Sequence, residues 1–242
     1  SKAGFDRGDG HGKVFVKKVY EIPLAARNAK GRAIVNFLEL QPEEKVATIA
    51  QVKAIEAGWY VTTVTRAGQI KKTEIIEYEN YREKGIIGVK IVEGDSLLTA
   101  IVTDGKAEFL IATKTGQSIR FDEQQVRPMG RGAAGVKAID LADGDEVVGL
   151  IRTEPERQFV LAVCERGYGK RTVLDEFRQQ NRGGKGIILI ECSDRNGPVV
   201  GIAMVKPTDE VMIITDRGQT IRTPVEGIRE TGRNTQGVKL MS

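Results

Sequence analysis

Residues 109–138 read FLIATKTGQSIRFDEQQVRPMGRGAAGVKA. An apolar run, FLIAT (109–113), meets a turn at Gly116, and the chain returns as QSIRFD. Two short β-prone segments across a glycine turn are the pattern of a hairpin. A polar connector follows, and after Gly135 a third apolar segment begins. A fourth run, EVVGLI (146–151), closes the unit. Helical periodicity is weak throughout, so the unit reads as four short strands.

The unit occurs five times. Its first glycine is Gly12, Gly68, Gly116, Gly167 and Gly218; its second is Gly31, Gly88, Gly135, Gly186 and Gly237. Within a copy the two stand 19, 20, 19, 19 and 19 residues apart, and the first glycines step by 56, 48, 51 and 51. Four strands recurring at that period favour blades around an axis over a solenoid or a sandwich. The expected fold is all-β and propeller-like, built from about five four-stranded repeats near 12–55, 56–104, 105–154, 155–205 and 206–242. Residues 1–11 read as a linker or an appended remnant. The first copy lacks an apolar strand before its turn and the last ends after its third strand, so the chain is expected to be a piece of a longer protein.

Composition narrows the function less than the repeats do. Apolar residues make up 40% and charged residues 29% of the 242, which suits a soluble globular chain. Glycine is abundant, at 28 residues, as many tight turns require. The net charge is only +4, from 37 basic and 33 acidic residues, so placement must decide what the excess does. Cys164 and Cys192 lie in apolar runs and read as core, and Trp59, opening WYVTTVT, does too. No stretch is long and apolar enough to span a membrane, and a cytoplasmic location is expected.

Cations recur at fixed offsets from the glycines. Four residues before the second glycine stand Arg27, Lys84, Arg131, Arg182 and Arg233. Shortly after the first come Lys17, then Lys71 and Lys72, Arg120, Lys170 and Arg171, and Arg222. Equivalent positions in equivalent repeats would form a belt. Such a belt neutralises the phosphates of duplex DNA, with little sequence preference and strong salt dependence. Exposed hairpin tips also carry charge simply for solubility, but agreement in sign across all five copies favours a binding face. Lys30, beside the first connector's glycine, joins the candidate set.

The connector Gln180, Asn181, Arg182, Gly183, Gly184, Lys185, Gly186 is distinctive. Paired glycines let a backbone approach a phosphate, and Arg182 and Lys185 add charge on either side. It is no nucleotide P-loop, since no Ser or Thr follows the lysine and no helix is expected after it.

QNRGGKG closely resembles the box QRRGGKG of the C-terminal domain of the bacterial gyrase A protein, a part of DNA gyrase. VYEIPLAARNAKGRAIVNFL, RGYGKRT and GRNTQGVKL resemble other parts of that domain, and the likeness covers roughly residues 12–242. It implies a β-pinwheel, a six-bladed ring or spiral in the parent protein, whose neighbouring blades exchange strands. It further implies a domain that is not itself an enzyme. The domain would wrap duplex DNA for negative supercoiling beside a breakage-reunion domain and the holoenzyme's ATPase component, with ATP and Mg belonging to the holoenzyme. The isolated domain is expected to be a monomer. Two departures stand out: the family's box lies in the first blade, whereas this connector is in the fourth copy, and Asn181 replaces an arginine. The related pinwheel of the topoisomerase IV A protein, which guides DNA-segment selection, and a protein-interaction propeller with an acidic partner are the alternatives.

No catalytic or metal site is expected. His11 is the only histidine, and the recurring pairs Gly94-Asp95 and Gly144-Asp145 read as turns. No cofactor is implied for this chain.

Overall fold

The computed structural model describes residues 2–4, 11–22, 33, 36–40 and 45–241. It divides into two compact units, Ser1–Lys106 with Val126–Val136, and Ala107–Gln125 with Lys137–Ser242. All regular structure among the described residues is strand or single-turn 3-10 helix.

In the first unit, one four-stranded antiparallel sheet runs in the order Ile49–Gln51, Lys2–Gly4, His11–Lys17, Ile86–Lys90. A second sheet pairs Tyr60–Thr65 with Gln69–Glu74 and Leu97–Thr103, and its outer edge takes the short strand that opens at Val136. Alternation sends Val14, Val61, Val89, Leu97 and Ala100 into one core with Ile75 and Tyr78 of the 3-10 turn Ile75–Tyr78.

In the second unit, one sheet runs Val147–Arg152, Glu108–Thr113, Gln117–Asp122, Ile187–Ile188. Another runs Val199–Val205, Phe159–Cys164, Tyr168–Val173, Val238–Lys239, and a two-stranded sheet joins Glu210–Ile214 to Thr220–Pro224. Leu110, Ala112, Val160, Ala162, Leu174, Phe177 and Val199 fill its main core. Cys164 is buried there and Cys192 half-buried, both as free thiols. Trp59, expected in the core, is 37% exposed instead, because it precedes the strand and lies outside its alternation.

The fourth strand of a sheet is borrowed. Ile187–Ile188 follows the second glycine of the fourth copy but pairs with the returning strand of the third. Val238–Lys239 of the fifth copy pairs likewise with the fourth. To cross over, the chain must bring the second glycine against the preceding hairpin. A Cβ on Gly186 would lie 2.3 Å from the Ser118 carbonyl oxygen, and one on Gly135 2.4 Å from that of Ile70. Both glycines have positive φ, +79° and +100°, so a side chain is excluded on two grounds.

That constraint corrects the sequence alignment of the second copy. Gly85, with φ +77° and a virtual Cβ 2.9 Å from the Phe15 ring, occupies the crossover position, and Gly88 lies three residues beyond it. Ile86 pairs with Val14 just as Val238 pairs with Gly169. The residue equivalent to Arg131, Arg182 and Arg233 in this copy is therefore Tyr81, and Lys84 belongs to a different position.

Candidate nucleic-acid interface

Each connector leaves its own hairpin through a 3-10 turn and lies along the returning strand of the copy before it. Isolated parallel bridges join Lys72 to Pro128, Arg120 to Gln179 and Arg171 to Glu230. The amides of Met129, Gln180 and Thr231 donate to the carbonyls of Lys72, Arg120 and Arg171 at 2.8, 2.7 and 3.0 Å. One residue in each 3-10 turn region then pins the next connector. Glu77 accepts from the Arg131 amide at 3.1 Å, Gln125 from that of Arg182 at 2.7 Å, and Glu176 from that of Arg233 at 3.0 Å.

This arrangement consumes most of the cations read as DNA contacts. Lys71 and Lys170 are 1% and 0% exposed, beneath the connectors. Lys71 Nζ donates to the carbonyls of Gly88, Gly130 and Arg131; Lys170 Nζ donates to those of Gly232, Arg233 and Thr235 and meets Thr235 Oγ1 at 3.2 Å. Burial pushes both ammonium groups down to about 8, with Glu77 opposing and Arg131 reinforcing the effect at Lys71. At Lys170, Glu176, Glu191 and Cys164 oppose it and Arg233 reinforces it. Neither lysine can reach a phosphate.

The next position is also committed inward. Lys72 is 4% exposed, with Nζ 4.9 Å from the Tyr60 ring centre. Arg120 pairs with Glu108 at 2.6 Å and donates to the Leu174 and Phe177 carbonyls. Arg171 donates to the Ile228 carbonyl at 2.7 Å and stacks 4.7 Å from the Phe159 ring centre. Arg222 is exposed but paired with Glu210.

Arg131, Arg182 and Arg233 act as staples. Their guanidinium groups donate to the carbonyls of Ile87, Lys137 and Ile188, the residues two beyond the preceding crossover glycines. Arg182 also donates from Nε to the Gln125 carbonyl at 3.1 Å. Arg27 and Lys30 lie outside the described residues. Lys17 is half-buried.

Exposed charge sits elsewhere on the same connectors. Lys84 and Lys185 each precede a crossover glycine, Gly85 or Gly186, and are exposed. Arg127, Arg178 and Arg229, each eleven residues past a hairpin glycine, are exposed too. The sequence reading missed these three because it searched close to the glycines, although the offset was there to find. Among the described residues none of the five makes an ion pair. Lys84 and Arg127 belong to the first unit, and Arg178, Lys185 and Arg229 to the second.

In the second unit, Arg178, Gln179, Gln180 and Asn181 line an open depression of about 550 Å³ with Asp122 and Gln125. Gln180 Oε1 is buried there without a protein partner. On the other flank of the connector, Lys137 holds Asp140 at 2.9 Å and lowers its pKa, with a smaller contribution from Lys185. The chemistry available is anion binding by exposed Arg and Lys, which suits a phosphate backbone, whereas Gln180 Oε1 and Asp122 are acceptors and add nothing to it. Among the described residues no group of His, Cys, Asp and Glu is placed to hold a metal, and no helix is long and apolar enough to cross a membrane.

Comparison with known proteins gives a consistent result. The family model described as DNA gyrase C-terminal domain, beta-propeller, matches residues 11–53, 60–104, 107–154, 158–206 and 209–242. The DNA gyrase A protein of Salmonella typhimurium is 43% identical over 230 residues, covering 95% of this chain and 26% of that protein. The DNA gyrase A protein of Haloquadratum walsbyi is 40% identical over 236 residues, covering 96% and 28%. The chain thus spans little more than a quarter of these relatives. Among solved structures, the C-terminal domain of DNA topoisomerase IV superposes with a TM-score of 0.88 at 25% identity, over 100% of this chain and 74% of that one. The DNA gyrase A C-terminal domain superposes with a TM-score of 0.87 at 24% identity, over 99% and 77%.

Proposed function

The chain belongs to the DNA gyrase C-terminal domain, beta-propeller, family, and from that premise we propose that it binds and bends duplex DNA as a non-catalytic part of the DNA gyrase A protein. The observation that carries this reading is the recurrence of exposed cations on equivalent connectors: Arg127, Arg178 and Arg229 at one offset, Lys84 and Lys185 at another. Side chains of this type neutralise phosphates without reading bases. Contacts on successive repeats offset bending, whose cost over 20–30 bp is on the order of 1–6 kcal/mol.

The parent protein would contribute a breakage-reunion domain, and a separate ATPase component would supply ATP and Mg chemistry for negative supercoiling. The natural setting is the cytoplasm, on the nucleoid. The isolated domain acts as a monomer.

The test is relaxation of a closed circular DNA in the presence of the chain. A shifted linking number, together with duplex binding that weakens steeply with salt, supports wrapping in the manner of gyrase. Binding with an unchanged linking number fits the alternative of a topoisomerase IV-like guide for DNA segments. Absence of duplex binding at low salt overturns both and leaves an acidic protein partner.

A further inference from the structure

The position beneath the connectors alternates in character. It holds Phe15, Lys71, Ile119, Lys170 and Ile221 in the five copies, by register from the hairpin glycines. Where it is lysine, the ammonium gathers the carbonyls of the overlying connector: Gly130 and Arg131 above Lys71, Gly232, Arg233 and Thr235 above Lys170. Where it is Ile119, the overlying segment is the glycine-rich connector 180–186, and no such grip exists. A methyl group placed on Gly184 would stand 3.8 Å from Ile119 Cδ1 and 3.5 Å from the Asn181 carbonyl oxygen. Ile119 has no donor to offer the carbonyls of the segment above it.

We propose that Lys71 and Lys170 are positioning residues that fix their connectors as rigid supports, whereas connector 180–186, seated on Ile119 without such a lysine, is adjustable and reshapes against a phosphate backbone. This rests on the DNA-binding reading above. Three features support the division. Gly183 and Gly184 stand side by side in this connector, whereas Gly130 and Gly132 are separated by Arg131 and the last connector has Gly232 alone before its crossover glycine. Arg178 and Lys185 stand exposed at its two ends. Gln180 Oε1 is a buried acceptor without a partner beside the open depression, which a rearranged connector can satisfy. The Arg182 staple, Gln180 N to the Arg120 carbonyl at 2.7 Å, Gly183 N to the Ala138 carbonyl at 2.8 Å and Asp140 N to the Gly184 carbonyl at 2.9 Å still tie this connector. Arg131 and Arg233 staple theirs in the same way, so the missing lysine is what sets it apart.

The experiment exchanges the two characters. Copies three and five tolerate isoleucine at this position and copies two and four tolerate lysine, so Ile119→Lys and Lys170→Ile have precedents within the chain. Amide hydrogen exchange and duplex binding at two salt concentrations are measured on both variants and the parent. In the parent, amides 181–185 are expected to exchange about tenfold faster than 232–235. Ile119→Lys should slow 181–185 and weaken duplex binding about fivefold with the salt slope unchanged, because no phosphate contact is removed. Lys170→Ile should raise exchange at 232–235 towards the level of 181–185. Equal exchange in the two connectors of the parent overturns the proposal, as does normal DNA binding by an Ile119→Lys chain whose connector has slowed. If Ile119→Lys fails to fold, the Lys170→Ile exchange result decides, and unchanged exchange there overturns it. A parent chain that binds no duplex at low salt refutes the DNA-binding reading instead, and the exchange contrast still reports on the lysines.

Discussion

The Lys170 ammonium lies 2.5 Å from the backbone carbonyl oxygen of Arg233, with no carboxylate in ion-pair contact among the described residues. Carbonyl dipoles replace only part of the hydration lost, so the charged form is disfavoured and the pKa falls from 10.5 to about 8. Lys71 is in the same position, with Glu77 and Arg131 as charged neighbours, and it shares the Gly88 carbonyl with the Tyr78 hydroxyl, itself pushed up to about 12 by burial. The sign of the linkage follows. Between about pH 8 and 10.5 the unfolded chain binds more protons than the folded one, so this contribution to stability rises with pH through that window. Below pH 8 the full cost of burying the charge is present. Denaturant unfolding from pH 7 to 10 should show the gain, on the order of a few kcal/mol in total, and Lys71→Ile with Lys170→Ile should abolish it.

Replacing Arg127, Arg178 and Arg229 together by alanine should weaken binding to every duplex sequence alike. Three lost phosphate contacts would flatten the plot of log affinity against log salt by about 2.7, at roughly 0.9 per contact. All three are exposed, so stability should change by no more than about 0.5 kcal/mol per site. A loss confined to one sequence would point to base readout and refute phosphate recognition.

Arg182 and Lys185 share a connector, yet alanine should affect them differently. Arg182 holds the Gln125 and Lys137 carbonyls, so Arg182→Ala should cost about 1–3 kcal/mol of stability by leaving those acceptors short of a partner. Lys185 is exposed, and Lys185→Ala should leave the melting temperature in place while lowering the salt slope by about 0.9. Melting curves beside a salt titration separate the two roles, and equal loss of stability would contradict them.

The hairpins and their turn glycines were legible because a turn and its two strands are local. Lys71 and Lys72 show where that legibility stops. Alternation along Gln69–Glu74 sends adjacent side chains to opposite faces, so one of the pair should face solvent. Both are buried: Lys71 beneath residues 130–131, nearly sixty positions later, and Lys72 against the Tyr60 ring. No pattern inside the hairpin announces that cover. The same borrowed geometry hid the error at Gly88: glycines at near-equal spacing look alike in sequence, and only contact with the preceding hairpin singles out Gly85. Recurrence was a sound signal for equivalent positions, but recurrent cations served the junctions between copies as well as the surface. Arg127, Arg178 and Arg229 recur equally well and, among the described residues, alone combine recurrence in three copies with exposure and freedom from ion pairs.

If strand exchange depends on the crossover glycine, alanine there should be far more damaging than alanine at an ordinary turn glycine. Gly144 has φ +76° and nothing within 4 Å of a virtual Cβ, so Gly144→Ala carries only the backbone cost of a left-handed residue, about 1–2 kcal/mol. Gly186 has nearly the same φ, +79°, but its Cβ would meet the Ser118 carbonyl oxygen at 2.3 Å and the carbonyl carbon at 3.0 Å. Both atoms are backbone in the strand that Ile187–Ile188 must pair with, so neither can move without opening the sheet. Gly186→Ala should therefore cost about 3 kcal/mol or more and expose the amides of residues 117–118 to exchange. Equal stability of the two variants would mean that Ile187–Ile188 is held by something other than this close approach, and the borrowed strand would lose its explanation.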